Sequence, residues 1–342
     1  MRPPFFTRRE LLFATAASCA SPSMSFAAAP ADRLATDFLV LGDWGRNGED
    51  FQSHVARQMA NQAAKRPIRF VVSTGDNFYN LGVNSVHDKK WITSFEEIYR
   101  DPELQQRWYP VLGNHDYGGN VYAQIDRTGK CNRWYMPQRW HMLSGSDFGD
   151  PDIDLFFIDT VVWKGRESFP YAFLGSSIAP ADQAAQKKWL THALLDSRAP
   201  LKLVFGHHPI FSVGKHGGKS GMADLDQLFR RAGVTAYVNG HDHCLYHITS
   251  PGMDYICSGG GSEELRAFTG DRNVFGCVLS TDCPGNMLPE DKPRWLSFVD
   301  RAGFASFTVQ NQQVLFRLID RSGVVFHEHT LVARQADESI RI

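Results

Sequence analysis

The chain has 342 residues and a formal net charge of −1, with 43% hydrophobic, 21% charged and 12% aromatic residues. The near-neutral charge argues against a nucleic-acid-binding surface as the main function. The length can bury one large core or two small ones, and the aromatic content suits a packed enzyme more than a flexible adaptor.

Residues 1–31 are predicted to be an export signal rather than part of the fold. Arg8 and Arg9 precede a mild apolar run that ends in an alanine-rich stretch. This pattern resembles a twin-arginine signal, whose route carries proteins that are already folded, and an ordinary Sec signal is the alternative. The sequence therefore predicts recognition by export machinery and a periplasmic or secreted location. No later apolar run reaches the roughly 18 residues of a membrane span.

The cysteines fit an exported protein but do not define a disulfide pattern. Removal of the signal, with Cys19, would leave an odd number of them. Disulfides are allowed in an oxidising compartment, but their pairing cannot be read from sequence. The absence of a Cys-x-x-Cys motif disfavours a thiolate zinc site. The remaining cysteines are Cys131, Cys244, Cys257, Cys277 and Cys283, of which the last two are close enough in sequence to pair across a loop.

In chain order, the hydrophobic patterns predict short apolar strands that alternate with helices, followed by a C-terminal antiparallel meander. This order indicates an α/β fold with polar loops at the carboxyl ends of strands. Pro110 indicates that the third strand lies at the edge of a sheet, because proline has no backbone N–H to donate to a neighbouring strand. Residues 118–150 are predicted to be irregular, and residues 259–300 to form a long loop over the rim of a site. Strands are predicted at 38–41, 70–74, 108–112, 155–159, 201–205, 236–238, 305–309, 313–318 and 324–327, and helices at about 50–64, 91–99, 181–196 and 222–232.

Five of the strands run into loops that carry side chains able to bind metals. In the central loop Gly75 turns the backbone, Asp76 can bridge two cations with its two oxygens, and Tyr79 can lie on the same side. Each motif alone is weak, because a Gly-Asp pair after a strand is usually a turn and paired histidines are often on the surface. Together they predict one dinuclear metal site that hydrolyses phosphate esters. The candidate ligands are Asp43, Asp76, Tyr79, Asn114, His207, His241 and His243.

The chemistry of these side chains is coherent. His241 and His243 are two residues apart in an extended stretch, so they can face one cavity. Mixed carboxylate, imidazole, amide and phenolate donors suit iron, zinc or manganese rather than calcium or magnesium. Two ions about 3.5–4 Å apart can hold both the attacking and the leaving oxygen in phosphoryl transfer.

The motifs resemble those of the calcineurin-like metallophosphoesterases, and most closely those of purple acid phosphatases of the small, single-domain tartrate-resistant type. The wider superfamily begins with Asp-x-His, whereas this chain has Asp43-Trp44-Gly45 and supplies Tyr79 in the second motif, as the purple enzymes do. The resemblance implies a four-layer α/β/β/α sandwich with mixed sheets. Residues 32–342 would form it as a single domain, with a loop insertion around 262–300.

The resemblance also implies a role for each candidate residue. Asp43, Asp76, Tyr79 and His243 would hold a ferric ion. Asp76 would bridge it to a second ion, Fe(II), Zn or Mn, which Asn114, His207 and His241 would complete. His115 and His216 would contact the substrate and protonate the leaving group. His208, where the family often has tyrosine, is expected at the rim, and no role is assigned to His54, His87, His192 and His247.

The implied activity is that of an exported acid phosphatase that hydrolyses small phosphomonoesters with a metal-bound hydroxide. The alternatives are a phosphodiesterase acting on nucleotides or phospholipid head groups, and a metal- or phosphate-binding protein with weak catalysis. The chain departs from the family in two places. It lacks the cysteines of a disulfide that would hold the loop at 164–177, and its insertion at 262–300 is larger than the short type needs. The substrate therefore stays open.

Overall fold

Thirteen strands form two mixed sheets in the part of the chain that the computed structural model describes, residues 35–164, 180–214, 222–263 and 293–337. The strands are β1 Thr36–Leu41, β2 Phe70–Ser73, β3 Arg107–Pro110, β4 His141–Ser144, β5 Ile153–Phe157, β6 Leu201–Phe205, β7 Ala236–Asn239, β8 Leu245–Ser250, β9 Met253–Ser258, β10 Arg294–Val299, β11 Gly303–Gln310, β12 Gln313–Asp320 and β13 Val325–Val332. The α-helices are α1 Gln52–Lys65, α2 Val121–Asp126, α3 Val161–Lys164, α4 Pro180–Asp196 and α5 Ala223–Arg231.

Each sheet combines a run of parallel strands with antiparallel neighbours. The first sheet has the strand order β13-β12-β11-β1-β2-β3, and the second has the order β10-β8-β9-β7-β6-β5-β4. β1, β2 and β3 pair in parallel, as do β5, β6, β7 and β9. Because β1 also pairs with β11, segments from both ends of the described chain belong to one sheet.

Alternating side chains of the strands separate the inner core from an outer one. In β1, Phe38 and Val40 belong to a core between the sheets that also contains Leu203 of β6. Leu39 and Leu41 point to the opposite face, because successive side chains of a strand alternate. On that face they join a second core with the buried stripe of α1.

A third core covers the outer face of the second sheet. Val204 of β6 lies there with Leu190 of α4 and Phe229 of α5. The layers are therefore helix, sheet, sheet and helix, which confirms the predicted four-layer α/β/β/α sandwich. Within the described ranges, none of the helices combines the length and hydrophobicity needed to cross a membrane.

Most predicted elements are present, with ends shifted by a few residues. Pro110 lies in β3, at the edge of the first sheet as expected. The prediction for 91–99 was right about helical structure, but the helix is of the π type and spans Trp91–Glu96.

Two predictions of irregular structure were partly wrong. Residues 118–150 contain α2 and β4, and residues 259–300 contain β10. β8 and β9 were not predicted as strands either. These elements are short. β4 and β8 pair antiparallel with the strands that follow them, β5 and β9, whereas β10 pairs with β8 from a distant part of the chain. α2 begins where the Asn120 side chain accepts the backbone N–H of Tyr122. Residues 264–292 of the predicted insertion and most of the loop at 164–177 lie outside the described residues.

His141, at the start of β4, makes the stability of the fold depend on pH. Its imidazole is buried and stacks on Phe157, with ring centroids 4.7 Å apart and planes at 8°. Burial lowers its pKa from 6.5 to about 4, because the charged ring is poorly solvated there. The contribution of this group to stability is therefore complete above pH 6.5 and is lost as the pH falls through 4.

His141→Phe should reduce this acid sensitivity, because phenylalanine can stack in the same place without a charge. Between pH 7 and pH 4.5 the wild type should lose about 2–3 kcal/mol of unfolding free energy at this site, and the variant should not. Urea unfolding at the two pH values measures the difference. The exposed His192, replaced in the same way, serves as a control. An unchanged pH dependence in the His141 variant would contradict the assignment.

Candidate metal centre

The candidate ligands follow strands whose carboxyl ends lie on one side of the two sheets. Asp43 follows β1, Asp76 follows β2, Asn114 follows β3, His207 follows β6 and His241 follows β7. Since β1 to β3 are parallel, and β6 and β7 are parallel, each sheet presents its carboxyl ends along one edge. The strand-to-loop arrangement predicted from the sequence is confirmed.

The backbone turns sharply at three of these loops. Asp43, Asp76 and His241 have φ angles of 61°, 49° and 69°, in the left-handed region that favours glycine. Such a conformation costs on the order of 1–3 kcal/mol and persists only where surrounding contacts impose it. Gly113 allows the next loop to come close, because a Cβ there would lie 2.2 Å from Asp76 Oδ1. The loops are therefore built to bring polar side chains together.

One group of donor atoms surrounds the hydroxyl of Tyr79. Tyr79 Oη lies 3.0 Å from Asp43 Oδ1, 3.0 Å from Asp76 Oδ2 and 3.2 Å from His243 Nε2. His243 Nε2 is also 3.5 Å from Asp43 Oδ1. The four residues are those expected to hold a ferric ion.

A second group surrounds the imidazole of His207. His207 Nε2 lies 3.1 Å from Asn114 Oδ1, 3.2 Å from His241 Nδ1 and 3.4 Å from Asp76 Oδ2. Asp76 Oδ2 therefore belongs to both groups. Ligands held about 2.0–2.2 Å from one ion are themselves about 2.8–3.6 Å apart. The donor atoms of each group have this spacing, so the residues fit two metal ions that share one carboxylate.

Hydrogen bonds from the backbone orient the two carboxylates. The N–H of His115 donates to Asp76 Oδ1 at 2.8 Å, and the N–H of His241 donates to Asp43 Oδ2 at 2.9 Å. Each carboxylate thus has one oxygen fixed by the protein and the other directed to the neighbouring donors. Both side chains are almost fully buried.

Two histidines are held in the ring orientation that a metal ligand needs. His207 Nδ1 lies 2.9 Å from the carbonyl oxygen of Thr74, and His243 Nδ1 lies 2.5 Å from Glu263 Oε2. In the neutral form of each ring, the oxygen acceptor at this position places the proton on Nδ1, so Nε2 would present its lone pair to a cation in the site. Arg46 forms an ion pair with Glu263 at 2.7 Å and lies over the Tyr79 ring, 3.8 Å from its centroid.

The charges in the site favour a bound cation. Burial would lower the pKa of His207, but the carboxylate of Asp76 raises it to about 9. Burial would also lower the pKa of His243, whereas hydrogen bonds to Asp43 and Glu263 raise it to about 10. Desolvation and the adjacent carboxylates raise the pKa of Tyr79 well above its usual value, so its phenol loses a proton only to a strong cation.

Of the two histidines that were expected to contact the substrate, His115 and His216, the structure describes the first. The His115 ring packs beside Tyr79, with centroids 4.4 Å apart, and its Nδ1 donates to the carbonyl oxygen of Asn80 at 2.7 Å. Its Nε2 lies 3.9 Å from Asp76 Oδ2, so it faces the candidate metal centre. His216 lies outside the described residues.

His208 is not at the rim, and that prediction was wrong. It is buried behind His241, with ring centroids 4.6 Å apart, and its Nδ1 lies 2.9 Å from Thr160 Oγ1. Sequence reasoning also missed Glu263 and Arg46. Arg46 follows Asp43-Trp44-Gly45 directly and Glu263 follows the Gly259–Gly261 run, so proximity to a motif was the only signal.

The described cysteines form no disulfide with one another. Cys131, Cys244 and Cys257 are free thiols. Cys244 and Cys257 are buried next to each other, with the Cys257 thiol 3.5 Å from the Cys244 carbonyl oxygen. Cys277 and Cys283 lie outside the described residues, so their pairing stays a prediction.

Comparison with known proteins places the chain in a family. Residues 36–245 match the sequence profile of the calcineurin-like phosphoesterases. The chain is 36% identical to purple acid phosphatase 7 of Arabidopsis thaliana, over 87% of both proteins. It is 35% identical to human tartrate-resistant acid phosphatase type 5, over 70% of this chain and 76% of that protein.

Solved structures share the fold at lower identity. GAP50, described as the anchor in the inner membrane complex of Plasmodium, superposes with a TM-score of 0.70 at 24% identity, over 89% of this chain and 90% of that one. The purple acid phosphatase PPD1 of yellow lupin superposes with a TM-score of 0.59 at 15% identity, over 88% of this chain and 54% of that one.

The fold and the sequence match define a calcineurin-like phosphoesterase. Within that class, the chain belongs to the purple acid phosphatases. The predicted family and enzyme class, a metal-dependent phosphoric monoester hydrolase, are therefore confirmed.

Proposed function

We propose that the chain is an exported acid phosphatase that hydrolyses phosphomonoesters at a dinuclear Fe(III)–M(II) centre. The observation that carries the proposal is the pair of donor groups around Tyr79 and His207, with Asp76 Oδ2 in both. One neighbour with the same fold is described as an anchor, so the fold by itself would not support an activity.

The two groups differ in the ion that they suit. The group with the phenol of Tyr79 has three anionic side chains, Asp43, Asp76 and Tyr79, with His243, and it suits the more highly charged Fe(III). The other group has two imidazoles, His207 and His241, the Asn114 amide and the shared Asp76 carboxylate, and it suits Fe(II), Zn or Mn. When bound, such ions neutralise phosphate oxygens and lower the pKa of water, which a single zinc ion takes from about 15.7 to about 7.

The protein's own contribution beyond the ligands is proton transfer and positioning. The Nδ1–H of His115 donates to the carbonyl oxygen of Asn80, so its Nε2 is left facing the candidate metal centre, where a phosphate ester would bind. In its protonated form this nitrogen can donate to the phosphate or to the leaving oxygen. His216, nine residues after His207, is proposed to share the task on the strength of that spacing.

His115→Ala should therefore retain both metal ions and lose activity in proportion to the need for a proton. For alkyl phosphates kcat/KM should fall by about 10²-fold or more, and for p-nitrophenyl phosphate by clearly less, because p-nitrophenolate leaves without a proton. Kinetics across a series of leaving groups, with metal analysis of each preparation, measures this. The exposed His54 provides a control substitution. Equal losses for all leaving groups would mean that His115 only positions the substrate.

The substrate class is tested directly with one matched pair of compounds. We expect p-nitrophenyl phosphate to be hydrolysed with a kcat/KM well above that of bis(p-nitrophenyl) phosphate, with an acidic pH optimum. A preference for the diester would replace the proposal by a phosphodiesterase. Absence of turnover in protein that holds two metal ions per chain would favour a metal- or phosphate-binding protein.

The proposal of export depends on residues 1–31, which lie outside the described part of the chain. We propose that they are a twin-arginine signal and that residues 32–342 form one domain. The pairing of β1 with β11 supports a single domain, because one sheet needs both ends of the described chain.

The double substitution Arg8→Lys with Arg9→Lys should leave the protein in the cytoplasm, and unimpaired export would indicate the Sec route.

A further inference from the structure

Three histidines outside the candidate metal centre lie together between the two sheets. His327 and His329 are two residues apart on β13, so they share one face of the strand, and that face is turned to His247 of β8. The His247 ring centroid is 5.1 Å from that of His327 and 4.8 Å from that of His329. We refer to His247, His327 and His329 as the β13 histidine cluster.

Polar contacts hold His247 on both sides of its ring. His247 Nε2 lies 2.9 Å from Asp254 Oδ1. On the other side of the ring, Nδ1 lies 3.0 Å from His327 Nε2, and a neutral imidazole nitrogen can accept its N–H. One ring nitrogen hydrogen-bonded to a neighbour and the other free to face a ligand site is the arrangement found for histidines that bind zinc.

Burial favours the neutral forms of His327 and His329. His247 and Asp254 are buried, and the Phe316 ring lies against all three histidines, with centroid distances of 5.0, 5.7 and 6.1 Å. Burial, together with the neighbouring histidines, lowers the pKa of His327 to about 4. Burial and His247 also lower the pKa of His329. Arg334 pairs with Asp254, which holds that carboxylate in place beside His247.

We propose that this place binds one divalent ion of the zinc type, with His247, His329 and Asp254 as ligands and His327 orienting His247. One ligand atom of each of the three ligands lies within 4.8 Å of those of the other two. His247 Nε2 and Asp254 Oδ1 are 2.9 Å apart, which is a spacing that two donor atoms on one zinc ion can have. Neutral imidazoles are preferred ligands of zinc, copper and nickel.

Such an ion would link the two sheets. His247 and Asp254 belong to β8 and β9 of the second sheet, whereas His327 and His329 belong to β13, the edge strand of the first. The site shares no residue with the candidate metal centre. Its role is therefore structural, and the inference does not rest on the proposed catalytic function.

Metal stoichiometry tests the proposal, with Zn²⁺ as the probe. Apoprotein should be dialysed against micromolar Zn²⁺, and bound zinc per chain measured for the wild type and for three variants. His327→Ala with His329→Ala should bind one equivalent fewer than the wild type, and Thr330→Ala, an exposed neighbour on β13, should bind as much as the wild type. His241→Ala with His243→Ala, which disables the candidate metal centre, should retain one equivalent.

Thermal unfolding gives a second readout. In the His241 and His243 variant, Zn²⁺ at about 100 times its dissociation constant should raise Tm by roughly 5 °C, and substitution of His327 and His329 should abolish the rise. If the double β13 variant does not fold, His329→Asn in the same background should weaken zinc binding at least tenfold. Equal zinc content with and without His327 and His329, or an unchanged Tm, would show that the cluster is only hydrogen-bonded.

Discussion

Asp76→Ala should remove both metal ions together and lower kcat/KM by about 10³-fold or more. Its Oδ2 lies 3.0 Å from Tyr79 Oη and 3.4 Å from His207 Nε2, so this one oxygen connects the two donor groups. Its Oδ1 accepts the backbone N–H of His115, so the same side chain also holds the loop that carries a proton donor. Loss of the carboxylate therefore affects both ions and the substrate side of the site.

Elemental analysis and steady-state kinetics on the same preparation measure this result. Asp126→Ala, at the exposed end of α2, controls for the general effect of removing an aspartate, and it should change neither metal content nor turnover. An Asp76 variant that kept two metal ions and near-normal turnover would rule out the bridging role. Retention of one ion would mean that the two groups bind independently.

Tyr79→Phe should abolish the visible colour of the iron-loaded, oxidised protein. A phenolate bound to Fe(III) can transfer charge to the ion on excitation, and zinc, with a filled d shell, cannot accept it. Three donors, from Asp43, Asp76 and His243, lie within 3.2 Å of Tyr79 Oη. Because the pKa of this phenol is raised well above its usual value, only a strongly bound cation keeps it deprotonated.

The variant is suited to this test because it leaves the ring in place. Arg46 lies over one face of the Tyr79 ring and His115 packs beside it, and phenylalanine preserves both contacts. The absorption spectrum should lose its visible band while iron content stays near that of the wild type. Tyr122→Phe, an exposed tyrosine on α2, is the control. A colourless oxidised wild type with full iron content, or a band that survives in the variant, would reduce the proposal to a generic dinuclear phosphoesterase.

The sequence by itself was enough to predict the class of fold and the candidate ligands. Each ligand type follows a short apolar run, as Asp43 follows residues 38–41 and His207 follows residues 201–205. A strand that is buried on both faces reads as a continuous run of apolar residues. The loop that follows it lies at the surface, where binding and catalytic side chains are usually found. Both signals are local, so they survive without knowledge of distant parts of the chain.

The tertiary structure decided what distant residues contribute. β10 forms by pairing with β8 from a distant part of the chain, and the ring of His243 is oriented by Glu263, twenty residues further along the chain. His247 looked like a residue without a role, because its partner His327 is eighty residues away. A side chain's charge, tautomer and partners depend on which segments fold against it, and that information is spread over the whole chain rather than held in any local pattern.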